Sequence, residues 1–110
     1  MARLTFGIRL VNLRREKCDI RIGRRSVWGN PFKIGADGTR EEVIGRFRRA
    51  VENQRKWQTL VGGLIFEIAE WKISHPKAKE IRLGCWCHPA PCHGEVLIEA
   101  IARAKVLVCR

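Results

Sequence analysis

Between Gly84 and Gly94 the chain reads Gly-Cys-Trp-Cys-His-Pro-Ala-Pro-Cys-His-Gly, a stretch that cannot continue as either strand or helix. Pro89 and Pro91 lack the backbone N–H that both ladders use, and a glycine closes each end. Ahead of it, Glu80-Ile81-Arg82-Leu83-Gly84 alternates polar with apolar and predicts a strand. Behind it, Leu97, Ile98, Ile101 and Ala104 share one helical face and predict a helix from Gly94 to about Ala104. A stiffened loop therefore joins a strand end to a helix start, the grammar of a sheet covered by helices.

The rest of the chain follows the same grammar. Leu4 to Leu13 and Asp19-Ile20-Arg21-Ile22 read as strands, with a turn at Arg14-Arg15-Glu16-Lys17. Gly23 to Phe32 contains Gly29 and the Asn30-Pro31 pair and reads as a shaped loop. Thr39 and Glu42 have capping-box spacing, and Val43, Phe47, Ala50 and Val51 follow on one face, which predicts a helix over 39–58. Gly62-Gly63 is expected to break the pattern. Leu64, Ile65, Ile68, Trp71 and Lys72 then predict a second helix that stops before His75-Pro76. Val106-Leu107-Val108 fits an edge strand as well as it fits a continuation of the last helix. The expected fold is α/β, a small mixed β-sheet covered by about three helices, with residues 1–110 as a single domain.

With 45% hydrophobic residues, the chain can bury a modest core. It has no run of about 20 apolar residues for a membrane span. Arg9 interrupts the apolar start and no small-residue cleavage site follows, so the expected location is cytoplasmic. Five cysteines are an odd number, and Cys85, Cys87 and Cys92 fall close together. Without an export signal, that pattern points to metal ligands or a reactive thiol and away from a disulfide scaffold.

Twenty-two basic residues face 11 acidic ones, a net charge of +11. Arg3, Arg9, Arg14, Arg15, Lys17, Arg21, Arg24 and Arg25, set against Glu16 and Asp19, place 8 − 2 = +6 of it in the first 30 residues. Arginine's planar fork makes paired hydrogen bonds to phosphate, so the implied partner is anionic: a nucleotide, a nucleic acid or another phosphorylated molecule. A plain solubilising surface is the competing explanation.

Two loops carry the candidate chemistry. In Gly84–Gly94, Cys92 and His93 stand just before a predicted helix start, where backbone N–H groups and the helix dipole stabilise an anion. Cys92 is the candidate nucleophile, with His93 or His88 as proton partner and Cys85 and Cys87 as auxiliary thiols. The alternative is zinc held by Cys85, Cys87, Cys92 and His93, against which stands the lack of a second, separated ligand pair. Thiols packed without chemistry are the third possibility. In the other loop, Gly23, Arg24, Ser26, Trp28, Gly29 and Asn30, together with Gly94, are the candidate ligand contacts. Arg24 and Arg25 would pair with phosphate, and Trp28 would stack on a base or, alternatively, pin the loop to the core. Trp86 alternates with Cys85 and Cys87 and should point away from them. Cys18 and Cys109 read as ordinary residues, and His75 as a helix terminus.

These motifs together resemble an uncharacterised bacterial and phage family, domain of unknown function 4326. The resemblance rests on Val11-Asn12-Leu13-Arg14, Ile22-Gly23-Arg24, Trp28-Gly29-Asn30-Pro31-Phe32, Gly38-Thr39-Arg40-Glu41-Glu42, Leu83-Gly84-Cys85-Trp86-Cys87 and Pro91-Cys92-His93-Gly94. Glu95 departs from it, standing where the family more often has aspartate. The resemblance implies little about activity. Three readings therefore stand: a thiol-dependent enzyme of nucleotide or base modification, a non-catalytic nucleic-acid-binding module with structural zinc, and a factor whose basic face meets an acidic protein.

Overall fold

The computed structural model describes residues 7–86 and 92–108, so Cys87, His88 and Cys109 lie outside the described residues. Within them, the chain forms β1 (Gly7–Asn12), β2 (Ile20–Arg21), α1 (Arg40–Asn53), α2 (Arg55–Ser74), β3 (Glu80–Cys85) and α3 (His93–Val108). The expected α/β order is observed, and Val106 to Val108 continue the last helix.

The strands lie in the order β1-β3-β2, and both pairings are parallel, where a mixed sheet was expected. Leu10 and Ile20 both stand opposite Leu83. Alternation then sends Ile8, Leu10, Ile20, Ile22, Ile81, Leu83 and Cys85 to the face covered by the helices. Phe47, Leu64, Ile68, Leu97 and Ile101 complete that core with no solvent exposure, each contributing about 1.5–3 kcal/mol by burial. Arg9 and Arg82 fall on the opposite face, where Arg9 pairs with Glu16 and Glu80, and Arg82 pairs with Asp19.

That opposite face is crossed by residues 13–19, which carry the chain from β1 over β3 to β2. Parallel strands ordinarily need a connection of about a dozen residues, and here the connection must also pass over a third strand. The short route works because Gly84 has no side chain: a Cβ there would stand 2.6 Å from Cys18 and from Leu13. Asn12 anchors the start of the crossing, accepting from the Arg14 N–H at 2.8 Å and donating to the Trp86 carbonyl at 3.4 Å.

Thr39 caps α1 in a complete capping box. The Thr39 backbone N–H, and then its hydroxyl, hold the Glu42 carboxyl below its usual range. The helix break falls at Gln54, whose extended backbone ends α1 and starts α2, and not at Gly62-Gly63. The glycines are tolerated because Val61, Leu64 and Ile68 anchor α2 to the core on either side of them. At Gln54 the chain redirects so that Val51 and Trp57 can both be buried, with the Trp57 ring edge-on to Phe47 at 4.8 Å.

Candidate functional site at the strand ends

All three parallel strands point their carboxyl ends toward one edge of the molecule, where open α/β sheets gather ligands. A hollow of about 380 Å³ opens there, lined by Leu13, Arg21, Gly23, Arg24, Arg25, Ser26 and Trp86. The early arginine loop and the start of the cysteine-bearing loop therefore share one wall. A second hollow of about 440 Å³ adjoins it, lined by Leu13, Arg14, Arg15, Glu16, Lys17, Cys18 and Arg21. Leu13 and Arg21 belong to both, so the two make a continuous basic trough.

The loop after β2 is built to hold its arginines outward. Ser26 turns back on Gly23, donating to its carbonyl through both the hydroxyl (2.7 Å) and the backbone N–H (2.9 Å). A Cβ on Gly29 would lie 2.7 Å from the Arg24 Cα and the Gly23 carbonyl, so its bareness closes the loop upon itself. Trp28 donates from its indole to the Leu60 carbonyl at 2.7 Å, pinning the loop to α2. Asn30 accepts from the Phe32 N–H and donates to the Val43 carbonyl, which ties the loop to α1. Trp28, Gly29 and Asn30 thus shape the loop, while Gly23, Arg24 and Ser26 line the hollow. Among the described residues, Arg21, Arg24 and Arg25 have no carboxylate partner.

Arg21 and Trp86 were not among the expected ligand contacts. Both were legible from strand alternation, which sends Arg21 away from Ile20 and Ile22, and Trp86 away from buried Cys85. Trp86 is 54% exposed, and the Arg14 guanidinium lies 5.9 Å from its ring centre.

Behind the hollow lies the start of α3. Cys92 acts as its cap: the sulfur accepts from the Gly94 N–H at 3.2 Å, and the Glu95 carboxylate accepts from the Cys92 N–H at 2.9 Å. Glu95 thus makes the return half of a capping box, while the thiol takes the N–H of the second helical residue in the manner of an N-cap side chain. Gly94 allows the helix end to seat on the sheet, since a Cβ would meet Leu10 at 2.5 Å. The His93 ring lies edge-on to Phe47, and its Nε2 donates to the Ile22 carbonyl just before the arginine loop. With the proton on Nε2, neutral Nδ1 is an acceptor, and it lies 3.9 Å from the Cys92 sulfur. Burial pushes the His93 pKa down, against the opposing pull of the Ile22 carbonyl.

Cys92 is 2% exposed and Cys85 1%, with their sulfurs 3.2 Å apart. Cys92 and His93 thus adjoin each other, both buried within the wall behind the hollow. Of the alternative zinc set, Cys85, Cys92 and His93 come together, while Cys87 lies outside the described residues. Among the described residues, no group of three His, Cys, Asp or Glu side chains is arranged to hold a metal ion. No helix among them is long and apolar enough to cross a membrane.

The architecture is that of a small parallel α/β domain with an arginine-lined trough at its strand ends and a thiol-capped helix behind it. Residues 9–103 match the family described as Domain of unknown function (DUF4326), and the chain belongs to that family. It is also 30% identical over 96 residues to an uncharacterised 12.4 kDa protein from the nrdA-td intergenic region of Enterobacteria phage T4, covering 86% of this chain and 78% of that one. No solved structure matches the chain.

Proposed function

We propose that this domain binds the phosphate groups of a nucleic-acid strand or nucleotide along the trough at the strand ends. The observation that carries the reading is the set of exposed arginines with no carboxylate partner among the described residues, Arg21, Arg24 and Arg25, around one hollow with exposed Trp86. Guanidinium groups supply paired hydrogen bonds to phosphate, and an exposed indole supplies a face for a base. The continuation past Leu13 and Arg21 toward Arg14, Arg15 and Lys17 favours a strand of several nucleotides over a single one.

The test is binding of mixed-sequence single-stranded oligonucleotides, and of nucleotides, as salt is raised. Affinity should fall with a log–log slope of about −0.7 for each phosphate contacted, and Arg24→Ala with Arg25→Ala should flatten that slope by about 1.4 if each arginine holds one phosphate. No binding of either ligand at low salt would overturn the reading. A factor for an acidic protein, with the same arginines meeting carboxylates, would then be the remaining binding role.

A second reading adds chemistry to the same site. The 3.9 Å approach of His93 Nδ1 to the Cys92 sulfur, with the Gly94 N–H donating to that sulfur, supports a thiol-dependent modification of the bound nucleotide or base. It requires Cys92 to be reachable, which alkylation against pH measures. Zinc held by the Cys/His loop without catalysis is the competing role, and metal analysis of protein purified without chelator distinguishes it.

A further inference from the structure

On the far side of the core, α2 presents a face that the fold does not use. Lys56, Gly63 and Glu70 recur at intervals of seven, as do Thr59, Phe66 and Ile73, and all six are exposed. Phe66 is 63% exposed and Ile73 79%. Within the domain, Gly62 and Gly63 have no packing reason to be glycine, since a Cβ on either meets nothing within 4 Å. Each nonetheless weakens the helix relative to alanine. Bare backbone in mid-helix, beside large exposed apolar side chains, is what a close approach by another helix requires.

Charge along this face identifies the occupant. Lys56 and Glu70 stand equal distances on either side of Gly63, each about 10.5 Å away along the axis. If a second α2 crosses antiparallel at Gly63, Lys56 of each copy meets Glu70 of the other. Such a face is complementary to itself under a two-fold axis. The repeat of seven suits the shallow crossing angle of paired helices.

We infer that the chain forms a two-fold dimer through antiparallel packing of α2 against α2, crossing at Gly62-Gly63. Phe66 supplies the apolar contact beside the glycines, and reciprocal Lys56–Glu70 pairs fix the direction and register. The face is one helix wide, small for a specific interface, so association is weak and concentration-dependent.

Sedimentation equilibrium over a range of concentrations tests the inference, with helical content followed by circular dichroism as a folding control. The wild type should pass from monomer to dimer as concentration rises. Lys56→Glu alone and Glu70→Lys alone should each weaken the dimer about tenfold, because like charges then meet at both ends. Mixing these two variants should restore association, since every Glu of one faces a Lys of the other. Phe66→Glu should leave only monomer. Three results would overturn the inference: a wild type that stays monomeric at the highest concentration, a dimer indifferent to the charge changes, or single variants that stay apart when mixed. Oligonucleotide binding by the trough is read separately and has no bearing on these outcomes.

Discussion

The His93 imidazole donates to the carbonyl of Ile22, 71 positions earlier in the chain, and so fastens the first turn of α3 to the end of β2. Burial lowers the His93 pKa from its ordinary 6.5. The unfolded chain therefore binds a proton that the folded one resists, and stability must fall as the pH drops below 6.5 toward the depressed folded value. Urea unfolding across the acid range should show this decline in the wild type. His93→Gln should lack that part of it, at the cost of lower stability near neutrality.

The two tryptophans at the site should separate cleanly. Trp28→Phe removes the bond to the Leu60 carbonyl and should cost about 1 kcal/mol in urea unfolding. Trp86→Ala removes an exposed ring and should change stability by no more than about 0.5 kcal/mol. In oligonucleotide binding, the larger loss should come from Trp86→Ala, about 1–3 kcal/mol if one base stacks there.

The thiol cap of α3 can be tested with an isosteric pair. Cys92→Ser keeps an acceptor for the Gly94 N–H, whereas Cys92→Ala does not. The alanine variant should be less stable than the serine one by about 1 kcal/mol. At 2% exposure, Cys92 should react with iodoacetamide more slowly in the folded protein than in urea. Reaction faster than a model thiol near neutrality would support the thiol-dependent reading.

Gly84→Ala would drive a methyl group into Cys18 and Leu13, where only 2.6 Å is open. The crossing segment would have to lift from the sheet. A loss of about 1–3 kcal/mol is expected in thermal or urea unfolding. Because Leu13 also lines the trough, oligonucleotide affinity should fall with it.

What was legible in the sequence was local. Alternation located β3, and the Thr39–Glu42 box located the start of α1, because both signals lie within a few neighbouring residues. Gly62-Gly63 misled because helix propensity is a weak local preference, and the anchoring of Val61 and Leu64 in a distant core outweighs it. Gly23 and Arg24, after β2, and Trp86, after β3, line one hollow, a juxtaposition set by the parallel pairing of β2 with β3. Pinning of the loop by Trp28 was one of its two expected roles; what was not legible was its partner, a carbonyl on α2 32 positions away. Nor was the parallel sense of β2, which depends on a crossing that one bare glycine makes room for.

That crossing also constrains when the protein can acquire its shape. β1 and β2 are not neighbours; the strand that joins them is β3, and Ile20 waits for Leu83, 83 − 20 = 63 residues further along. As the chain leaves the ribosome, the part ahead of β3 therefore has two helices to form but, among the described strands, no pair to close. A fragment truncated before Glu80 should lack β-structure altogether, and sheet assembly should come late, as one concerted event near the end of synthesis.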